Sequence, residues 1–357
     1  MTSNKKPNFK EALSNLLQGN YSEKDIYRLL NPKSKKEKEK TKKEAKKIKE
    51  KHFSNKVYLY GFLYFSTYCK NNCNFCYYRK ENKHPTRYRK KPKDILKISR
   101  SLSKKEISLI DLTSGEDQYY KRNFDELLSI VKKVSEFGCV VMVSPGVLNE
   151  NKLKKLHEAG ADFYALYQET HSKNLYKSLR PQQPFKERKK ARKKAKEIGL
   201  AVEDGILIGV GENRSELANS IYKMSKEKLT QVRCMPFVEH KGIPISKKDT
   251  NYDYGLITAL LRLTNPKKLI PASLDINGEK GIKDPLNSGA NVVTSIVPSS
   301  TGLAGVAQHE YGIESGERSP THVTKFLRKN GYRIGSLKEL KKTIQKNKCA
   351  NLTHTNI

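Results

Sequence analysis

The sequence has no run of about eighteen apolar residues, which counts against a membrane-spanning helix. Its opening stretch, MTSNKKPNFK, lacks the apolar core of a secretion signal. The expectation is a cytoplasmic protein whose thiols stay reduced, so disulfides are not expected. Cysteine is scarce, with six in 357 residues, and the C-x2-C pair at 73–76 has no second pair to accompany it. That argues against a closed structural zinc site, which needs four ligands. Acidic residues are few, 37 against 71 Lys and Arg, and the net charge is +34. Such an excess invites a nucleic-acid reading. Yet the densest run, KSKKEKEKTKKEAKKIKEK from 33 to 51, lacks the arginines and aromatics that typically line a nucleic-acid groove. It mixes Lys with Glu at helical spacings, as a solvated helix does. Neither a membrane nor a specific nucleic acid is expected as a partner.

What is present is concentrated. Cys69, Cys73 and Cys76 form a C-x3-C-x2-C pattern directly after an apolar run at 57–65. Three thiolates on one short loop can hold three irons of a 4Fe–4S cube and leave the fourth open. An open iron can bind a small molecule through its amino and carboxylate groups. The spacing, with Phe75 just before the last cysteine, resembles the signature of the radical S-adenosylmethionine (radical SAM) enzymes. The cofactors that follow are a 4Fe–4S cluster and SAM, and low oxygen is expected. Cys139, Cys234 and Cys349 are scattered and read as thiols without function.

Beyond residue 55 short apolar runs alternate with amphipathic ones. The apolar runs lie at 57–65, 108–112, 139–143, 163–167, 205–210, 231–237, 269–274 and 291–297. The clearest helix between them, 124–137, puts Phe124, Leu127, Leu128, Val131 and Val134 on one face and stops at Gly138. Eight such units predict an α/β fold, a complete (β/α)8 TIM-type barrel whose strands are buried on both faces. Residues 1–52 are expected as a lysine-rich N-terminal helical extension, 53–335 as the barrel, and 336–357 as a C-terminal tail, frayed from Lys341.

Active sites of such barrels lie at the C-terminal strand ends. Those ends carry the cysteine loop, Asp111 to Asp117, Ser144, Gln168-Glu169-Thr170, Gly209 to Glu212, Arg233, Ser273 and Asp275. Any one of these acids and serines can simply cap the next helix. Together they form a polar rim above an iron–sulfur loop.

The stretches FSTYCKNNCNFCYY, RYR (87–89), IDLTSGED, SPGV, FYALYQET, EDGILIGVG, LIPASLD and GANVVTSIVP resemble the methylornithine synthase family of pyrrolysine biosynthesis. This family of radical SAM mutases is related to biotin synthase and a hydrogenase-maturation enzyme, and the resemblance runs from about residue 52 to about 330. It implies an isomerase that converts L-lysine into (3R)-3-methyl-D-ornithine. A 5′-deoxyadenosyl radical from SAM would take a hydrogen from lysine, and the carbon skeleton would fragment and recombine. No catalytic residue beyond that radical is expected. A low-potential electron donor such as a ferredoxin or flavodoxin is implied.

The same resemblance suggests roles. Cys69, Cys73 and Cys76 would ligate iron, and Phe75 would lie by the adenine. Ser114, Gly115 and Glu116 would receive the SAM amino group, with Ser144 as a further contact. Glu169 would bind the ribose hydroxyls, and Arg180 the methionine carboxylate. Arg188, in a basic helix among many charges, is a second candidate. Arg233 would take the substrate carboxylate, while Asp111, Ser273 and Asp275 would receive its ammonium groups. Glu203 and Asp204 are possible contributors, one of them equally suited to a structural pairing. Two alternatives carry less. A sulfur-inserting relative needs ligands for a second cluster, and an RNA-modifying one normally needs an appended RNA-binding domain.

Overall fold

The computed structural model describes residues 6–248 and 252–352. Eight parallel strands follow the expected order: β1 (Lys56–Ser66), β2 (Leu109–Ser114), β3 (Val140–Ser144), β4 (Phe163–Ala165), β5 (Ala201–Ile208), β6 (Gln231–Pro236), β7 (Pro271–Ser273) and β8 (Val292–Ile296). They are arranged β6-β5-β4-β3-β2-β1-β8-β7. A parallel bridge between Gln231 and Leu269 brings the two ends together, with Val232 donating to the Leu269 carbonyl at 3.1 Å. The result is a nearly closed barrel surrounded by helices. No helix of the described residues is long and apolar enough to cross a membrane.

Alternation along each strand sorts the side chains into two cores. Tyr58, Tyr60, Leu109, Val140, Met142, Phe163, Ala165, Ala201 and Val292 form an inner cluster. Their neighbours Val57, Leu59, Ile110, Val141, Val143, Tyr164, Val202 and Val293 join the large outer cluster under the helices. Burial on both faces explains why the strands read as continuous apolar runs. The same alternation carries the inward series upward from an apolar floor to Asp111, Glu203 and Arg233, all buried.

The floor is sealed by the segment expected to fray. Residues Leu337–Leu352 form a helix, and its Leu340 and Ile344, one turn apart, are buried in the inner cluster beside Phe53. The Tyr58 and Thr343 hydroxyls share a hydrogen bond of 3.1 Å. A two-residue strand, β9 (Arg333–Ile334), pairs with the start of β1 and delivers the chain to this position.

The lysine-rich stretch is only partly solvated. Helix Lys35–Phe53 buries Thr41, Ala45, Lys49 and Phe53, a stripe at four-residue spacing. It packs against helix Tyr254–Thr264, which is buried at every position from Gly255 on and therefore needs such a cover. Lys42 bridges Asp253 (2.8 Å) and Asp284 (2.9 Å) across this contact. Burial pulls the Lys49 pKa down to about 8. Lys38 joins Lys42 on Asp253 at 3.0 Å, and the remaining lysines of the helix are exposed, as expected of a solvated face.

Truncating Leu340 to Ala should reveal the weight of the floor. Leu340 is fully buried, so Leu340→Ala should lower the unfolding free energy by about 2–5 kcal/mol. Urea denaturation checks this. A loss below about 0.5 kcal/mol, the usual size of a surface substitution, would mean that the helix does not seal the barrel.

Candidate active site

The cysteine loop leaves β1 at Ser66 and has no regular structure of its own until 92. Hydrogen bonds to its backbone hold it instead. The Arg87 guanidinium donates to the carbonyls of Thr67 (2.9 Å), Tyr78 (3.2 Å), Arg79 (2.6 Å) and Asn82 (3.2 Å). Tyr88 donates its hydroxyl to the Tyr64 carbonyl at 2.7 Å. Arg89 lies between the rings of Tyr68 and Tyr119 and pairs with Asp117 at 2.7 Å, an acid that also accepts from the Ser66 hydroxyl. The RYR triplet is thus a clamp on the loop. Gly115 locks the loop to β2: a Cβ there would sit 2.3 Å from the Tyr68 carbonyl oxygen and 2.9 Å from Cys69 Cβ.

The sulfurs meet donors. Cys73 Sγ accepts from Arg180 Nη1 at 3.2 Å and from Gln183 Nε2 at 3.1 Å. Burial pushes the thiols of Cys69 and Cys76 up, and the neighbouring Cys73 adds to it. Free thiolates would therefore be costly here, whereas iron binding deprotonates such groups and compensates their charge. Three sulfurs on one loop, N–H donors on two of them and a glycine clearing space beside Cys69 fit a 4Fe–4S cluster with one open iron.

One cavity of about 930 Å³, counting its open mouth, is lined by Cys69, Cys73, Cys76, Phe75, Asp111, Ser114, Gly115, Glu116, Ser144, Glu169, Arg180, Arg188, Arg233 and Asp275. Ser273 is reached through Ser295, whose hydroxyl lies 2.9 Å from its own and which borders the cavity.

In the upper half, Glu169 has a left-handed backbone (φ 68°) and accepts from Arg180 Nη2 at 2.6 Å. Arg180 lies 5.0 Å from the centroid of the Phe75 ring. A non-glycine residue holds that conformation only where its surroundings impose it. β5 holds it there: the Glu169 N–H donates to the Gly205 carbonyl at 2.9 Å and the Leu207 N–H to the Glu169 carbonyl at 2.9 Å, and Asp204, outside the cavity lining, braces the same junction. Asp204 accepts from the backbone of Gln168 (2.7 Å) and Gly205 (2.8 Å), and contacts His171 (3.1 Å) and Arg192 (3.0 Å). Arg192 also holds the Leu166 carbonyl and Glu227. His171, Asp204 and Glu227 come close enough for a metal, but the Arg192 guanidinium already pairs with both acids.

Arg188 departs from the surface setting suggested by its basic helix. It is buried, donates to the Tyr167 carbonyl at 3.0 Å and lies 3.6 Å from Glu116. Glu116 also pairs with Lys70 at 3.3 Å and rests on Gly146, where a Cβ would meet its Cγ at 2.0 Å. Ser144 donates to the Ala165 carbonyl at 3.1 Å.

In the lower half, Arg233 Nε donates to Glu203 Oε1 at 2.8 Å, and the Tyr167 hydroxyl donates to Glu203 Oε2 at 3.1 Å. Arg233 Nη2 is buried without a partner. Asp111 accepts from the Thr113 hydroxyl at 2.9 Å. Burial, and then the Glu203 carboxylate, push its pKa up to about 7 against the pull of Arg233. Asp275 is different. Its oxygens accept from the backbone N–H groups of Val306 (2.7 Å), Ala307 (2.5 Å) and Gln308 (3.2 Å), and from Arg318 at 3.1 Å. It therefore fastens the loop at 303–318 over the barrel mouth.

Several of these groups escaped sequence reasoning. Arg87 stands within the RYR motif, but the motif alone does not show that it reaches four loop carbonyls. Gln183, Arg192 and Arg318 carried no signal, because their partners are remote or backbone atoms. The inward direction of Glu203 needed the strand register.

The radical SAM superfamily profile matches residues 63–221. The chain is 43% identical over 309 residues to a 3-methylornithine synthase of Methanosarcina acetivorans, covering 86% of this chain and 88% of that protein. It is 31% identical over 255 residues to the FeFe-hydrogenase maturase subunit HydE of Thermotoga maritima, covering 70% and 72% of the two chains. Among solved structures, a crystal structure of methylornithine synthase superposes with a TM-score of 0.88 at 37% identity, covering 93% of this chain and 99% of that one.

The clamp predicts a separable defect. Arg87→Leu leaves four loop carbonyls without their donor, so iron retained after anaerobic reconstitution should fall by at least about half, with circular dichroism unchanged. Each lost hydrogen bond to a charged group is worth about 1.5–3 kcal/mol. Full iron loading in this variant would show that the loop is held by other means.

Proposed function

The chain belongs to the 3-methylornithine synthase family of radical SAM enzymes, and on that premise we propose that its substrate is L-lysine and its product (3R)-3-methyl-D-ornithine. It is an isomerase, a mutase of pyrrolysine biosynthesis that depends on a 4Fe–4S cluster and SAM. The bound cofactors supply an organic radical that takes a hydrogen from the substrate. The protein's share is to bind, orient and exclude water.

The observation that carries the substrate reading is the charge inside the barrel. Asp111, Glu203 and Arg233 are buried together, and with all three ionised they sum to one negative charge. L-Lysine, with two ammonium groups and one carboxylate, brings one positive charge. An unbalanced buried charge would cost several kcal/mol, so with Asp111 ionised, above about pH 7, a diamino acid fits better than a neutral zwitterion. Arg233 Nη2, which has no protein partner, is assigned the carboxylate. Asp111 is assigned one ammonium, and Ser273 and Asp275 the region of the other. Asp275 then does double service, because its hold on the 303–318 loop covers the bound substrate and keeps water out.

The upper half is assigned to SAM. Cys69, Cys73 and Cys76 hold three irons, and Phe75 lies by the adenine. Ser114, Gly115 and Glu116 take the amino group, with Ser144 beside them. Glu169 takes the ribose hydroxyls, and Arg180, seconded by Arg188, the methionine carboxylate. A ferredoxin- or flavodoxin-like donor supplies the electron, in a cytoplasm low in oxygen.

Two measurements check this. Anaerobically reconstituted enzyme with SAM, reductant and L-lysine should yield an amino acid of unchanged mass and altered chromatographic retention. Its absence, with SAM cleavage independent of lysine, contradicts the mutase reading for lysine. The second is a pH profile. Asp111 titrates at about 7 and attracts an ammonium only when ionised. KM for lysine should therefore hold steady above that pH and rise toward about tenfold per pH unit below it. Asp111→Asn should raise KM and remove the dependence. A wild-type KM unchanged between pH 6 and 8 would exclude Asp111 as the ammonium acceptor.

A further inference from the structure

We propose that Glu203 sets the substrate specificity of this barrel, acting through Arg233 as a positioning residue that makes the cavity select an amino acid with a cationic side chain; this rests on the lysine reading above. Glu203 is fully buried and lies in register between Ala165 of β4 and Gln231 of β6. Both of its oxygens are occupied, Oε1 by Arg233 Nε at 2.8 Å and Oε2 by the Tyr167 hydroxyl at 3.1 Å. The Tyr167 ring also lies 5.6 Å from the Arg233 guanidinium carbon. Gly205 makes room for that ring, since a Cβ there would approach Tyr167 Cδ1 at 3.0 Å.

Two consequences follow. Holding Nε turns the fork of Arg233 so that Nη2 remains buried and without a partner. It is the donor left for a ligand carboxylate, and a planar fork fixed on one edge presents it in one direction. The second consequence is charge. Without Glu203, Arg233 and Asp111 would balance each other, and a zwitterion with an uncharged side chain would suit the cavity as well as lysine does. With Glu203 and Asp111 both ionised, the cavity retains one negative charge that such a zwitterion leaves uncompensated, and a low-dielectric interior penalises that strongly. Asp111 meets one ammonium and the Ser273–Asp275 region the other, while Glu203 supplies the excess charge that makes the second ammonium necessary.

The test compares L-lysine with L-2-aminohexanoate, its analogue ending in a methyl group, on reconstituted, SAM-loaded enzyme. The affinity of each is measured for wild type, Glu203→Gln and Glu203→Asp, together with thermal unfolding. Wild type should prefer lysine by about 100-fold or more, in the range that a buried group left unpaired imposes. Glu203→Gln, which keeps the shape and an accepting oxygen, should weaken lysine at least about tenfold and tighten the analogue, so that the ratio collapses. Glu203→Asp, which restores the charge, should keep the preference at reduced affinity for both. If Glu203→Gln leaves the ratio unchanged, whether or not it unfolds at a lower temperature, Glu203 is only structural and the proposal is wrong. Failure of the lysine reading shows separately, as wild type that neither binds nor turns over lysine.

Discussion

Three sulfurs have to be held still by a segment that forms neither helix nor strand, and the rest of the site depends on how that is done. The backbone of the cysteine loop is anchored to charged side chains: Arg87 on four carbonyls, and Arg89 on an aspartate that also holds the end of β1. Hydrogen bonds from a guanidinium are stronger than neutral ones, which suits a loop that lacks a ladder to lock it. Gly115 then brings β2 so close that loop and strand cannot move apart independently. Since Ser114, Gly115 and Glu116 line the same cavity as the cysteines, the element that positions the irons also positions the groups assigned to SAM. Arg180 extends this coupling across the barrel by joining Cys73 to Glu169.

Below the loop, the barrel divides into layers by strand alternation. An apolar floor, sealed from beneath by Leu340 and Ile344, supports a polar ring in which Asp111, Glu203 and Arg233 share a dry space. The floor keeps water from entering at the bottom, and the loop tied to Asp275 covers the top. Burial of all three strengthens the electrostatics between them. It also suits radical chemistry, in which a quenched or escaping intermediate ends the turnover.

Much of this was legible in the sequence, and the limits have physical causes. The cysteine spacing is dictated by cluster chemistry, and the strands by burial on both faces, so both are written locally. The direction of Glu203 and Asp204 is not. The apolar run suggested a strand beginning at 205, whereas β5 begins at Ala201, so the two acids fall inside the strand and point to opposite faces. Arg188 and Arg192 were hidden among lysines, because a basic helix whose buried face is also basic shows no contrast in its pattern. The C-terminal helix was hidden likewise: two apolar residues one turn apart are a faint signal inside a lysine-rich stretch. The four donors that occupy Asp275 come from the segment 306–318, and sequence order gives no hint that these groups meet.

The most direct test is a crystal structure of the anaerobically reconstituted enzyme with SAM and L-lysine. The account predicts lysine in the lower half of the cavity, its carboxylate on Arg233 Nη2 and one ammonium on Asp111, with the Glu203–Arg233 pair intact. Lysine bound elsewhere, or an empty lower cavity beneath a fully occupied SAM site, would contradict it.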